Sequence, residues 1–201
     1  MAYSTNSWFI CPKPSKKVRI RFFCFPYAGG GVPVFRAWAD GLPGVELWVA
    51  NLPGRGSRFG EEPLTAMLPL VQALGRHLPS DGRPFAFFGH SMGAQVAFEL
   101  ARSLRRQGRA LPAHLFVSAC PAPQLPLRQP SLHSMPKAAF LAELERRNGI
   151  PAEVLAEPEL LDLLLPMLRA DLTLYETAVY HSEPPLSCPI TAFGGRDDPL
   201  V

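Results

Sequence analysis

Short apolar runs alternate along the chain with segments whose apolar residues recur at helical spacing. The run VRIRFFCF, at residues 18–25, alternates and then becomes fully apolar, and residues 85–88, 115–119 and 190–193 form three further short, mainly apolar runs. Runs of this kind predict strands buried on both faces of a parallel sheet. Residues 92–106 place their apolar side chains on one helical face and predict a helix.

Weaker patterns fill the first half of the chain. Residues 34–40 resemble a helix, residues 46–52 a short strand, and residues 64–78 a helix that ends at Pro79. Strands that alternate with helices at these separations predict an α/β fold, with a mostly parallel sheet flanked by helices.

The second half contains a long stretch without strand patterns. Residues 121–136 are rich in proline, and residues 137–180 have only helical periodicity. We expect a helical lid insertion at about residues 125–182, and a plain connecting helical layer is the alternative. Residues 1–17 carry little pattern and are expected to be a loose leader, with the domain spanning residues 18–201.

Composition excludes several classes of function. The 201 residues are 47% hydrophobic with a net charge of +3, and their basic residues form no stripe interleaved with aromatics, so nucleic-acid binding is not expected. The sequence has no apolar stretch of about twenty residues, so no membrane span is expected. No secretory signal is recognisable. We expect a cytoplasmic protein.

The four cysteines are scattered and include no C-x-x-C pair. We expect them to fill the core as free thiols, with a disulfide or metal site as the alternative. No metal and no cofactor are expected.

The sequence GHSMG, at residues 89–93, lies between an apolar strand and a helix. A G-x-S-x-G sequence in that position forms a sharp turn that exposes the serine hydroxyl, with small residues letting neighbouring backbone pass close by. Ser91 is therefore the candidate nucleophile, and a tight turn with a satisfied serine is the alternative. The helix that begins at Met92 directs its free N–H groups toward the same place.

An oxyanion hole for this nucleophile needs backbone donors. The Met92 N–H is one candidate, and the glycine-rich loop at residues 26–31 is expected to supply the second. A plain glycine turn is the alternative explanation of that loop.

The acid of a catalytic triad follows the nucleophile in this arrangement and lies after a late strand. Asp198 is our candidate, with Asp197 as the alternative, and a turn-forming aspartate would explain either. The base comes after the acid, but the sequence stops three residues beyond Asp198. The nearest preceding histidine, His181, is a poor substitute, so we expect a truncated chain whose catalytic histidine lies beyond residue 201.

These motifs occur together in one known family. FPYAGG at residues 25–30, LPGRGSR at 52–58, GHSMG at 89–93, LRAD at 168–171 and the ending at 195–201 resemble the type II thioesterases of polyketide and non-ribosomal peptide synthesis, which are α/β-hydrolases. The resemblance implies hydrolysis of acyl groups from the phosphopantetheine thiol of acyl or peptidyl carrier proteins.

The resemblance also implies roles for individual residues. It supports Ser91 as nucleophile, Ala28 and Met92 as oxyanion donors, and Asp198 as acid. The carrier protein is the implied partner, and the missing histidine segment puts the activity of this polypeptide in doubt.

Substrate contacts are expected from Tyr27, His90 and Arg55. Arg55 and Arg58 suit the phosphate of the pantetheine arm, but the structural alternative is that they bridge carboxylates of their own loop, such as those at residues 61–62. Two other functions stay open: a small-molecule esterase or lipase of the same fold, and a non-catalytic carrier-binding module.

Overall fold

A single mixed sheet with helices on both faces organises the chain. The computed structural model describes residues 4–15, 17–79, 81–126, 131–147, 149–150 and 152–198. The strands are β1 (Ser4–Asn6), β2 (Phe9–Cys11), β3 (Ile20–Phe25), β4 (Val45–Ala50), β5 (Phe85–His90), β6 (Leu115–Ser118) and β7 (Ile190–Phe193). The helices are α1 (Trp38–Gly41), α2 (Met67–His77), α3 (Met92–Arg106), α4 (Lys137–Arg146), α5 (Ala152–Leu155) and α6 (Pro158–Glu176).

The strand order is β1-β2-β4-β3-β5-β6-β7. From β4 to β7 every neighbouring pair is parallel, whereas β1 and β2 are antiparallel additions at one edge. The α/β class with a mostly parallel sheet is therefore confirmed. Because parallel strands end at the same edge, the loops after β3, β5, β6 and β7 lie side by side, and candidate site residues occur in several of them.

The end of β3 is apolar on both faces because helices or turns cover both faces. Phe23 and Phe25 belong to the main core, which α2 and α3 complete from one side. Cys24 belongs to a smaller core on the other side, with Phe35 from a 3₁₀ turn. A strand covered in this way loses the alternation that a half-exposed strand shows.

The N-terminal residues differ from the expectation of a loose leader. Phe9 and Cys11 of β2 are fully buried, and β2 pairs with β4. The Phe9 ring packs edge-on against Phe23 and Phe25, with centroid distances of 5.2 and 6.3 Å. A strand of three residues is too short to show periodicity, so the sequence pattern gave no signal for it.

Other element bounds differ by a few residues. Residues 34–40 were expected to be one helix, but Val32–Phe35 is a 3₁₀ turn with proline at its start, and a single turn, α1, follows it. The strand expected at 46–52 ends at Ala50. The bounds of α3 and β7 match the sequence prediction.

Between β6 and β7, the described helices lie within residues 137–176, where the sequence predicted a helical stretch at 137–180, and they share a core of their own. Leu132 from the preceding loop, Phe140 and Leu144 of α4, and leucines of α6 form this cluster. We call α4–α6 with their connections the helical insertion. Within the described residues, no helix combines the length and apolar character that a membrane crossing requires.

Candidate active site

Ser91 occupies the sharp turn between β5 and α3. Its backbone has φ 53° and ψ −121°, a left-handed conformation that costs a non-glycine residue free energy. Its N–H donates to the Ser118 carbonyl at 2.8 Å, which ties the turn to the end of β6. The Ser91 side chain is partly exposed and forms no capping hydrogen bond to α3. The Ser91 hydroxyl is therefore not used as a hydrogen-bonding cap for α3.

The glycines on either side of Ser91 permit close backbone packing. A Cβ atom on Gly89 would lie 2.1 Å from the Gly93 carbonyl oxygen, and one on Gly93 would lie 2.0 Å from the Phe25 carbonyl oxygen. Neither position has room for a side chain. The structure therefore accounts for both glycines of the G-x-S-x-G sequence by contact between β3, β5 and α3.

His90 lies beside the nucleophile and is half-buried. Its Nδ1 is 3.1 Å from the Ser118 hydroxyl, and its ring meets the Tyr27 ring edge-on at 5.8 Å. Burial lowers the pKa of His90, and the negative charge of Asp198 opposes that change. The Tyr27 ring is therefore in contact with the residue that precedes Ser91, and contact of either ring with substrate stays a prediction.

Asp198 reaches this same edge of the sheet from the loop after β7. Its backbone N–H donates to the Gly195 carbonyl at 3.3 Å, which closes a turn. Its charge acts on the pKa of His90, so the carboxylate lies near the residue that precedes the nucleophile. Asp197, the alternative acid, is exposed. The acid role of Asp198 stays a prediction that this placement favours.

The loop after β3 forms a tight turn, which we call the oxyanion loop (residues 27–30). The Gly30 N–H donates to the Tyr27 carbonyl at 2.8 Å, and Gly29 has φ +82°. A positive φ at the third residue of a turn closed in this way is typical of type II. Ala28, the second residue, packs against both the main core and the core of the helical insertion.

Met92 begins α3 directly after the nucleophile. Its side chain is buried in the main core, which fixes the start of the helix beside Ser91. The proposed oxyanion donors Ala28 and Met92 therefore belong to elements anchored in the core.

Arg55 has a buried partner that the sequence analysis did not identify. Its guanidinium pairs with the Asp171 carboxylate through two hydrogen bonds of 2.6 and 2.7 Å, and both side chains are almost fully buried. This pairing favours a structural role for Arg55, although its partner lies in α6 and not in its own loop as the alternative expected. Charged residues within the leucine-rich sequence of α6, Asp162 and Asp171 among them, were the signal for such a partner.

Arg58 forms the kind of bridge that the sequence analysis expected. It binds the Glu61 carboxylate at 2.5 and 2.8 Å and the Asn51 carbonyl at 2.9 Å. Its guanidinium also lies 4.1 Å from the centroid of the Trp8 ring. Arg58 thus stabilises its own loop and the N-terminal segment.

The family assignment follows from the match between this chain and a family model. The model described as "Thioesterase domain" matches residues 21–201. The chain belongs to the thioesterase family. It is thus a thioester hydrolase, and the nucleophile turn described above lies within the matched range.

Individual relatives agree with this assignment. The gramicidin S biosynthesis protein GrsT of Aneurinibacillus migulanus is 42% identical to this thioesterase over 195 residues, which cover 96% of this chain and 76% of GrsT. The solved thioesterase RedJ, from the prodiginine pathway of Streptomyces coelicolor, is 40% identical with a TM-score of 0.83, covering 91% of this chain and 73% of that one. The type II thioesterase BorB, from the borrelidin biosynthetic cluster, is 35% identical with a TM-score of 0.85, covering 98% and 81%. The resemblance to type II thioesterases is confirmed.

The thioesterase contains a mainly apolar cavity of about 720 Å³ that begins one helical turn from Ser91. Ala94 in the first turn of α3 lines one side, and its N–H donates to the Ser91 carbonyl. Residues 120–126, which follow β6, also line the cavity, together with Tyr175, Glu176, Ala178 and Tyr180 at the end of α6 and just after it. The cavity has the size and character of a small-molecule site.

The cysteines form no disulfide, and one of them, Cys120, lines the cavity. All four cysteines are free thiols, and three of them are buried. In the described ranges, no group of histidine, cysteine or acidic side chains could hold a metal ion.

Proposed function

We propose that this thioesterase removes acyl groups from the phosphopantetheine thiol of acyl or peptidyl carrier proteins, and so clears blocked synthases. The single observation that carries the proposal is the strained Ser91 turn, which frees a serine hydroxyl beside the first turn of α3. The names of GrsT, RedJ and BorB, each tied to a natural-product pathway, support this substrate class.

In the proposed reaction, the Ser91 oxygen attacks the thioester carbonyl carbon while a general base takes its proton. Negative charge develops on the carbonyl oxygen, where the N–H groups of Ala28 and Met92 stabilise it. The carbon–sulfur bond then breaks and leaves an acyl-serine. The pantetheine thiol has a pKa of about 8.5, so it departs with little help from a proton donor.

Water completes the cycle by attacking the acyl-serine with the same base. In this arrangement Asp198 orients the base and stabilises its charged form. We further propose that the helical insertion acts as a lid and that the acyl chain occupies the apolar cavity beneath it. Tyr27 and His90 would then contact the thioester end of the substrate.

The first test compares hydrolysis of an acyl group on a carrier protein with hydrolysis of a small oxygen ester. The protein expressed from its own gene should prefer the carrier-bound thioester. Ser91→Ala should lower kcat by about four to six orders of magnitude, because only the acceleration from the oxyanion hole and from substrate binding remains. Ser187→Ala, an exposed serine before β7, is the matched control and should keep wild-type kcat.

Three outcomes would contradict the proposal. Retention of most activity by Ser91→Ala would remove this residue from the mechanism. A strong preference for the oxygen ester would favour a small-molecule esterase of the same fold. Carrier binding with no hydrolysis of either substrate would favour a binding module.

A further inference from the structure

Asp171 of α6 binds the oxyanion loop directly. One of its carboxylate oxygens accepts the Gly29 N–H at 2.8 Å and an Arg55 N–H at 2.7 Å, and the other accepts a second Arg55 N–H at 2.6 Å. Asp171 is 2% exposed, so this carboxylate has been removed from water and depends on these three donors.

Arg55 completes a clamp on the same loop. Besides its pairing with Asp171, it donates to the Gly30 carbonyl at 3.0 Å. The buried ion pair therefore binds one N–H group and one C=O group of two consecutive loop residues. Removal of either charge would leave the other buried without its partner.

The hydrogen bond to Gly29 fixes a particular peptide group. The Gly29 N–H belongs to the peptide between Ala28 and Gly29, which is the central peptide of the type II turn. Type I and type II turns differ in the orientation of this central peptide. An acceptor on the Gly29 N–H therefore selects one orientation, and it restricts the Ala28 backbone on which the proposed oxyanion donor lies.

The contact also joins two parts of the molecule. Gly29 comes from the end of β3, whereas Asp171 belongs to the helical insertion, 142 residues later in the sequence. Leu168, one turn earlier in α6, lies against the same loop, since a Cβ atom on Gly29 would be 3.2 Å from its methyl group.

We propose that Asp171 and Arg55 are positioning residues that hold the oxyanion loop in the orientation required for Ala28 to bind the oxyanion. This inference rests on the proposed function of Ser91 and Ala28. It assigns to the helical insertion a part in transition-state stabilisation, in addition to its proposed role as a lid.

The test uses Asp171→Asn, which keeps the shape of the side chain and removes its charge. We expect kcat for the acyl-carrier thioester to fall about 10- to 100-fold with KM within about threefold, because an oxyanion donor acts mainly in the transition state. Asp162→Asn is the matched control, since Asp162 lies on the same helix but is exposed and binds only Lys137 among the described residues. The control should keep wild-type kcat.

A second readout separates positioning from general damage. An acyl trifluoromethyl ketone forms a charged adduct with the nucleophile and requires the oxyanion hole, whereas a non-hydrolysable thioether analogue of the substrate does not. Affinity for the ketone should fall in parallel with kcat, and affinity for the thioether should stay unchanged. Amide exchange at Gly29, measured by NMR, should become faster in Asp171→Asn.

Arg55→Lys covers the case in which Asp171→Asn does not fold. This variant keeps the charge but loses the two-point pairing, and it should show the same pattern with a smaller loss of kcat. Wild-type kcat and ketone affinity in Asp171→Asn would overturn the proposal, as would equal losses of ketone and thioether affinity. If the wild type prefers an oxygen ester, the proposed substrate fails, and the kcat of Asp171→Asn on that ester decides the positioning role.

Discussion

At the scale of single residues, the site depends on backbone conformations that few sequences can adopt. Ser91 is held at a positive φ although it has a side chain, and the two glycines around it let three elements touch. Such strain persists only where the surrounding structure enforces it. Here the enforcing contacts are the hydrogen bond from Ser91 N–H to β6 and the burial of Met92.

Gly93→Ala should be severely destabilising. Its new methyl group would overlap the Phe25 carbonyl oxygen, so α3 would have to move away from β3. We expect the free energy of unfolding to fall by about 3 kcal/mol or more, the upper range for overpacked sites. Urea unfolding followed by circular dichroism measures this change.

Gly60→Ala provides the comparison, because nothing lies within 4 Å of a Cβ atom at that position. This variant should unfold within about 0.5 kcal/mol of the wild type. Equal stability of the two variants would show that α3 can shift without cost.

The sequence predicted the residues of the nucleophile turn because their chemistry is local. GHSMG, its strand and its helix are contiguous in the chain, and the periodicity on each side was strong. The Arg55–Asp171 pair was not predicted, because the two residues are 116 positions apart and no local pattern joins them.

At the scale of elements, the two halves of α6 make different kinds of contact. Its leucines, such as Leu161 and Leu165, complete the core of the helical insertion, whereas Asp171 and Leu174 face the oxyanion loop and the main core. The sequence predicted that the segment is helical but not which residues it contacts. Helical periodicity identifies an apolar face without identifying its neighbour.

A substitution at the cavity wall tests whether the acyl chain lies there. Ala178 follows α6 and lines the cavity, so Ala178→Trp should fill part of it. We expect kcat/KM for long acyl chains to fall at least about tenfold relative to acetyl, since each lost methylene contact is worth about 0.8 kcal/mol. Hydrolysis of a series of acyl-carrier thioesters measures this ratio.

Val179→Trp is the control, because the neighbouring Val179 is 71% exposed. It should leave the preference for chain length unchanged. The same ratio for Ala178→Trp and wild type would place the acyl chain elsewhere.

At the scale of the whole molecule, two glutamates fix the position of the helical insertion. One binds arginines of the sheet domain, and the other binds the loop that leads into the insertion. Glu183, between α6 and β7, binds Arg102, Arg105 and Arg106 near the end of α3. Glu176 at the end of α6 accepts hydrogen bonds from the backbone of Leu132 and His133. The molecule is therefore one structure in which the insertion is tied at several points.

Glu176 should make stability depend on pH. Burial by itself would raise the pKa of its carboxyl, but the N–H groups of His133 and Leu132, the His133 ring and the Ser131 hydroxyl hold the pKa below its usual value. A carboxyl with a lowered pKa stabilises the folded state above its unfolded pKa of about 4.3, and that contribution is lost as the pH falls through the folded value.

We expect Glu176→Gln to lower the free energy of unfolding by about 2 kcal/mol at pH 7, the usual size for hydrogen bonds to a charged group. The difference from wild type should shrink as the pH falls below about 4.3. Urea unfolding at a series of pH values measures both effects. Glu159→Gln, exposed in the first turn of α6, should have a much smaller effect, because this carboxylate has only the weak interaction with the helix dipole. A constant difference between Glu176→Gln and wild type at all pH values would contradict the assignment.

The arrangement of α6 limits how this family can vary in length. Each residue added to a helix turns everything after it by 100° and moves it by 1.5 Å. An insertion between Leu168 and Glu176 would therefore rotate Asp171 or Glu176 away from its partners. Evolutionary insertions and deletions should instead accumulate in the connections before α6, where new chain length leaves both carboxylates in place.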